Sequence, residues 1–443
     1  MTNRRYKTAE FAQTLIDILT SLRVPTWTVA SSLDSLSPEQ LKIYKVSGSL
    51  TNAVFFVSYP SRNAIKTVLL RIYGPSSSSL INRVRELRVL YVLSSQYGIG
   101  PRVYGTFENG RVEEYFESSA LTVAQIRDPQ ISSWIGTRMA ELHCVDVEAV
   151  EGENELRLEI AAIRNVRLWL EPAREVKRLY SSSFSSDMRA VLDLDRFVGD
   201  WNRYMAWLKK WEQTHGASKR VFAHNDTQCG NLLMLKRMKP GLPDHRQVIC
   251  CNYGTIPFSK GANNVCQSPQ TLQCSTAPIQ IIVVDFEYAA LNPAAFDIAN
   301  HFQEWTTNYQ SQHAHLLDHS RYPDDQERRH FYEAYLKHSH PPYTTTAADV
   351  SVGIAAPVSP HEHPESFLDL DKETRRLEAQ VQAWNPASHG MWAIWSIVQA
   401  RDDLEQAAAA GNDTMQEEPE FDYLGYAVSR MEGFRRELVA LGL

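Results

Sequence analysis

An aspartate followed five positions later by an asparagine stands out in the run His224-Asn225-Asp226-Thr227-Gln228-Cys229-Gly230-Asn231. That spacing suits phosphoryl transfer, in which a carboxylate receives or orients a hydroxyl proton and an amide oxygen ligates Mg²⁺. Asp226 would sit on a tight turn and Asn231 at its far end, just before the apolar Leu232-Leu233-Met234-Leu235. An ordinary polar loop with an Asx-turn and a helix cap uses the same residue types, so this loop alone leaves both readings open. A second acid ends the apolar run Ile281-Ile282-Val283-Val284-Asp285. A buried strand ending in a carboxylate delivers a hard oxygen ligand to the mouth of a cleft, as Mg²⁺ requires. A strand end with a turn-forming Asp is the plainer alternative. Occurring in this order, the two signals support each other. Asp226, Asn231 and Asp285 are the expected catalytic set, with Asn231 and Asp285 as the metal ligands.

Phosphates would need a cradle. Ser47-Gly48-Ser49-Leu50-Thr51-Asn52 precedes the strand-like Ala53–Val57. It is not a Walker loop, but Ser47, Gly48, Ser49, Thr51 and Asn52 can present backbone N–H groups and hydroxyls to phosphate. A plain hairpin turn would look the same. Arg71, in the strand-like Val68–Ile72, stands where a kinase fold carries its phosphate-binding Lys, and Glu86 on the following helix could pair with it. Trp392 and Trp395, three apart on a probable helix, share a face. Trp305, Tyr309 and Tyr426 add rings, and Glu304 adds a carboxylate. A quaternary ammonium donates no hydrogen bond, so ring faces and a nearby carboxylate are what would hold it. Aromatics at helical spacing also serve as core.

These residues must be positioned by two kinds of structure. Residues 36–118 read as a small α+β lobe: short β-rich runs, turns at Tyr59–Asn63, Gly100-Pro101 and Asn109-Gly110, and a helix near Leu80–Ser94. Residues 119–443 read as mainly helical, at Ile131–His143, Phe197–Trp211, Gly390–Ala410 and Glu420–Leu441, with strand patches at Arg220–His224 and Ile279–Phe286. Residues 1–35 read as an N-terminal extension carrying a short amphipathic helix through Phe11, Leu15, Ile16 and Leu19. Two stretches fit neither lobe. Residues 236–279 form an expected insertion holding Cys250, Cys251, Cys266 and Cys274, a poor zinc pattern. Residues 338–366 are rich in Pro, His and Thr and read as a flexible loop.

Composition narrows the function. The 443 residues carry 45 Lys+Arg against 52 Asp+Glu, a net charge of −7. That balance argues against a nucleic-acid binder held by phosphate contacts. No run is long and apolar enough to span a bilayer, and six Cys make no disulfide framework. A reduced, cytoplasmic enzyme is expected.

The run from Asp285 through Phe286-Glu287-Tyr288 to Asn292-Pro293, Asp297 and Glu304-Trp305 resembles the signature of choline/ethanolamine kinases, and His224–Asn231 resembles that family's catalytic loop. Leu69–Gly74, Gly100-Pro101, Asn109-Gly110-Arg111 and Trp392–Ala400 follow in the family's order over about residues 45–441. The resemblance implies a two-lobed protein-kinase-like α+β fold and ATP- and Mg²⁺-dependent phosphorylation of a small amino alcohol. Choline is favoured, the first step of the CDP-choline route to phosphatidylcholine, with ethanolamine or both as the alternative. It implies that Asp226 is the catalytic base, that Asn231 and Asp285 hold Mg²⁺, and that Arg71 contacts ATP phosphates. The hinge near Glu114 to Phe116 would meet adenine, although some relatives carry Gln where Glu114 stands. Gln228, Glu304, Tyr309, Trp392, Trp395 and Tyr426 would line the amino-alcohol pocket. The family is often dimeric, so a homodimer is admitted.

Overall fold

The computed structural model describes residues 5–28, 36–46, 52–74, 82–152, 159–236, 280–339, 369–410 and 421–443. Ser47, Gly48, Ser49 and Thr51 of the expected phosphate loop, residues 237–279 of the expected insertion and residues 340–366 of the expected loop lie outside these.

The first helix, α1 (Ala9–Ser21), begins where the Thr8 side chain accepts a hydrogen bond from the Phe11 amide. Its Phe11, Leu15, Ile16 and Leu19 recur at helical spacing and are buried. They share one core with Phe55, Val57, Leu70 and Val112 of a five-stranded antiparallel sheet. Burying each such side chain contributes about 1.5–3 kcal/mol. The segment read as an extension therefore builds the small lobe's core, and Trp27 adds to it, its indole N–H donating to the Lys66 carbonyl at 3.0 Å.

That sheet comprises β1 (Lys42–Val46), β2 (Asn52–Ser58), β3 (Val68–Tyr73), β4 (Val103–Phe107) and β5 (Gly110–Glu114), in the order β1-β2-β3-β5-β4. The β3–β5 register sets Arg71 directly opposite Arg111. Like charges so placed repel, so the pair requires carboxylates around it. The helix α2 (Arg83–Val92) is capped by the Asn82 side chain. It was expected within the small lobe, but Val89, Leu90 and Val92 pack into the core of the large lobe instead.

The large lobe holds α3 (Pro129–His143), α4 (Ala161–Leu179), α5 (Leu194–His215), α6 (Ala294–Glu304), α7 (Asp325–His338), α8 (Leu370–Gln399) and α9 (Tyr423–Ala440) as its principal helices. Short strands lie against them: β6 (Ser118–Ala120), β7 (Arg220–Ala223), β8 (Leu232–Leu235), β9 (Ile281–Val283) and β10 (Ala290–Pro293), joined as β6-β8-β9 and β7-β10. The helix expected to begin at Gly390 instead begins at Leu370, capped by Asp369, and runs through Pro386. Pro386 and Gly390 read as breakers in sequence. Packing on all sides overrides them, and Gly390 leaves space for the Trp201 ring, 2.7 Å from where a Cβ would stand.

Candidate active site

The polar loop after β7 is held from beneath by α6. Asp297, fully buried on α6, accepts hydrogen bonds from the backbone amides of His224 (2.9 Å) and Asn225 (2.7 Å). It also accepts from His143 Nε2 at 2.9 Å. Burial would raise its pKa, but the His143 hydrogen bond, nearby histidine charge and the amides hold it below the ordinary value. Asn225 takes a left-handed φ of 67°, a conformation Asn tolerates better than most L-residues. Its amide group is fixed by the Tyr288 carbonyl (2.9 Å) and by Asn292 Nδ2 (2.6 Å). Asn300 Nδ2 donates to the Asn225 carbonyl at 3.1 Å, and the Thr227 carbonyl accepts from His301 Nδ1 at 2.8 Å. The loop is thus set in place by buried groups on rigid elements.

Asp226 and Asn231 are joined directly: Asn231 Nδ2 donates to the Asp226 carbonyl and to Asp226 Oδ2, each at 2.9 Å. The β8–β9 register pairs Leu232 with Val283, and the Val284 amide donates to the Asn231 carbonyl at 3.0 Å. Asn231 and Asp285 consequently leave adjacent strand ends. Asp285 also has a left-handed φ, 69°, which turns the chain out of the sheet. Burial, followed by the charges of Glu304, Asp285 and Glu287, pushes the Asp226 carboxyl well above its usual pKa.

A dense charge cluster, reached by Arg71 from the small lobe's β3, meets Asp285. Arg71 Nη1 lies 3.1 Å from both oxygens of Asp285, and its Nε is 3.5 Å from Glu113. Glu86 was expected to pair with Arg71. It pairs instead with Arg111 (2.7 Å) and Arg83 (2.7 Å), because Arg111 faces Arg71 across the sheet and claims it. Arg111 also contacts Glu113, and Arg83 reaches Glu287 at 3.4 Å and Asn52 at 2.8 Å. Asn52 Nδ2 in turn donates to Glu287 at 3.2 Å. Burial opposes ionisation of Asp285, but Arg71 and Arg111 overcome it and lower its pKa. Glu287 is pushed up to about 7 by burial and by the charges of Asp285 and Glu86. One oxygen from each of Glu86, Asp285 and Glu287 lies within 4.8 Å of the others. Glu114 ends β5, its amide donating to the Arg102 carbonyl, and buried Phe116 follows, its carbonyl accepting from the Ser118 hydroxyl at 3.0 Å.

Beyond the polar loop stands an aromatic wall. Trp392 and Trp395 meet edge to face with centroids 5.1 Å apart. Their indole N–H groups donate to Asn300 Oδ1 (2.7 Å) and the Tyr288 hydroxyl (2.8 Å). Ring contacts continue through Tyr423 and Phe421 to Tyr426 and Tyr309. The Tyr309 hydroxyl donates to Glu304 at 2.7 Å. Gln228 is half-buried beside Gly230, which leaves room for its amide. Trp305 stands apart from this wall. It follows Glu304 directly, so it points roughly a quarter-turn away, fully buried against His301 and Phe302 with Arg127 5.0 Å from its ring.

Sequence reasoning assigned no role to Asp297, Asn300 or His301. A signal exists: polar residues at i, i+3 and i+4 in the otherwise apolar Ala294–Phe302 mark one polar face on a buried helix. It also missed Arg430, whose partner Glu304 is 126 positions away.

The profile of the choline/ethanolamine kinase family matches residues 43–435, and the chain belongs to that family. It is a small-molecule kinase. The choline kinase of Schizosaccharomyces pombe is 32% identical over 456 aligned positions, covering 98% of this chain and 90% of the relative. The ethanolamine kinase of Saccharomyces cerevisiae is 25% identical, covering 98% and 77%. A solved choline kinase from Cryptosporidium parvum shares the fold with a TM-score of 0.62 at 20% identity, covering 97% of this chain and 96% of that one. An ethanolamine kinase from Plasmodium vivax gives 0.59 at 18%, covering 97% of each. The architecture is thus the two-lobed kinase-like fold expected, with a small β-rich lobe and a larger helical one. No helix among the described residues is long and apolar enough to cross a membrane.

Proposed function

We propose that the chain transfers the γ-phosphoryl group of ATP to the hydroxyl of choline, giving phosphocholine and ADP, with ethanolamine as the alternative acceptor. The observation that carries this is the placement of Asp226, a carboxylate with raised proton affinity, whose charge environment is shared with Glu304 of the aromatic-walled pocket. Asp226 orients the choline hydroxyl and takes its proton as the oxygen attacks phosphorus and the bond to ADP breaks. A base with a raised pKa is suited to that transfer. Asn231 keeps Asp226 in its rotamer, and with the Asn231 nitrogen so engaged, Oδ1 is the atom free for a cation. Asp285 and Asn231 would hold Mg²⁺, and the all-oxygen donors gathered from Glu86, Asp285 and Glu287 suit that ion. When bound, it offsets phosphate charge.

Arg71 contacts phosphate as a fixed cation. Asn52, with Ser47, Gly48, Ser49 and Thr51, would contact the phosphates, and the Glu114–Phe116 segment would receive adenine. Gln228, Glu304, Tyr309, Trp392, Trp395 and Tyr426 line the acceptor pocket, and Trp305 supports it from the core. Rings rather than a wholly acidic groove favour the methylated cation. Catalysis rests chiefly on positioning and electrostatics.

A coupled ADP-release screen across choline, ethanolamine and aminoglycosides tests the reading, and choline should give the highest kcat/KM. Asp226→Ala should lower turnover by about a thousandfold or more, with an unchanged circular dichroism spectrum. Wild-type turnover in that variant would remove Asp226 from the mechanism.

A further inference from the structure

Glu304, 3% exposed at the end of α6, has both carboxylate oxygens committed to the protein. Arg430 Nη2 donates to Oε1 at 2.6 Å, and the Tyr309 hydroxyl donates to Oε2 at 2.7 Å. Arg430 on α9 is itself fully buried. Its Nε donates to the Tyr426 hydroxyl at 2.7 Å, and its Cζ lies 5.0 Å from the centroid of that ring. One guanidinium thus fixes both the carboxylate and one ring of the acceptor pocket.

From this clamp we infer that Arg430 is a positioning residue that sets acceptor choice, masking Glu304 so that the pocket prefers a quaternary ammonium to a primary one. The inference rests on the amino-alcohol kinase reading. A primary ammonium carries three N–H donors and must find oxygens for them on leaving water. Here the Glu304 carboxylate is already paired in charge with Arg430 and bonded at both oxygens. A quaternary ammonium asks for no acceptor, and the faces of Trp392, Trp395 and Tyr426 suffice. Arginine keeps its charge at every working pH, so the masking is permanent.

Stability alone explains Arg430 poorly. Its Nη1 is buried without a hydrogen-bond partner among the described residues. An unsatisfied buried donor is costly, and apolar side chains often replace buried ion pairs without loss. The energetic penalty points to a role in the pocket.

The test compares kcat and KM for choline and ethanolamine in the wild type, Arg430→Gln and Arg430→Lys. Arg430→Gln removes the charge and unmasks Glu304. Its choline-to-ethanolamine ratio of kcat/KM should fall about tenfold, mainly through a lower KM for ethanolamine. Arg430→Lys restores the charge and should return the ratio toward that of the wild type. A folded Arg430→Gln that loses both substrates equally, with the ratio unchanged, has lost only structure and overturns the inference. The wild type alone supplies a second test with ethanolamine, its N-methyl and N,N-dimethyl derivatives, and choline. The value of kcat/KM should rise with each methyl group, and a flat or falling series overturns the inference even where the variants do not fold. Absence of ADP release with all four compounds is a different failure, that of the kinase reading beneath it.

Discussion

Asp297 shows how much one buried side chain can determine. Its two oxygens meet two backbone amides of the polar loop and the His143 imidazole. Because a carboxylate only accepts, the His143 Nε2 that faces it carries a proton, and the Nδ1 of the same ring lies 2.9 Å from the Tyr335 hydroxyl. Asp297→Ala would strand three buried donors. It should cost about 3–5 kcal/mol, with turnover falling further as Asp226 loses its position. Urea unfolding and kcat measured together check this. A loss below about 1 kcal/mol would mean the loop is held by other contacts. The approach of Asp226 to Asn231, and of Asp285 to both from the neighbouring strand end, was legible in the sequence from residue type and spacing. Asp297 was not assigned, since its partners meet it only after β7 has packed on α6. Trp305 illustrates the opposite error: its aromatic ring suggested the acceptor pocket, but helix geometry turns it from its neighbour Glu304 into the core.

Among the elements, α8 carries Trp392 and Trp395 and α9 carries Tyr426, three of the rings proposed to line the acceptor pocket. The two helices approach closely because Gly433 of α9 has no side chain: a Cβ there would stand 2.6 Å from the His389 ring of α8. Glycine within a helix normally costs about 1 kcal/mol relative to alanine. Gly433→Ala should nevertheless destabilise, by about 1–3 kcal/mol. It should also raise KM for the amino alcohol, since Tyr426 shares that helix. A higher thermal midpoint in the variant would refute the close-packing argument. Helix existence was largely readable from apolar periodicity, whereas the start of α8 was not. Pro386 and Gly390 carry the local signal of a boundary, and only burial on every side, which has no local signature, overrides it. The helix in residues 1–35 was likewise visible, but its place in the sheet core depends on Phe55, Leu70 and Val112.

For the whole molecule, buried titratable groups set opposing responses to pH. His301 is neutral: its Nδ1–H donates to the Thr227 carbonyl and its Nε2 accepts from Trp305 at 3.2 Å. Burial lowers its pKa from 6.5 to about 4. The unfolded chain therefore binds the extra proton first, and this group's contribution to stability is full above about pH 6.5 and lost as pH falls toward 4. Glu287, raised to about 7, acts in the reverse sense, its contribution being lost as pH rises from 4.5 through 7. The two partly cancel in the wild type, so the informative quantity is a difference. His301→Asn removes one titration, and its stability deficit against the wild type should shrink by about 2 kcal/mol between pH 7.5 and pH 5. A deficit constant over that range in urea unfolding would rule out the titration of His301.

The bond between Arg71 and Asp285 joins the small lobe to the large one. In the proposed site, neither partner waits idle for a ligand. A phosphate that drew Arg71 away from Asp285 would leave the Asp285 carboxylate without that countercharge and open to a cation. Each half of a nucleotide–metal pair would thereby find its seat vacated by the arrival of the other, so the enzyme should admit them as companions far more readily than singly.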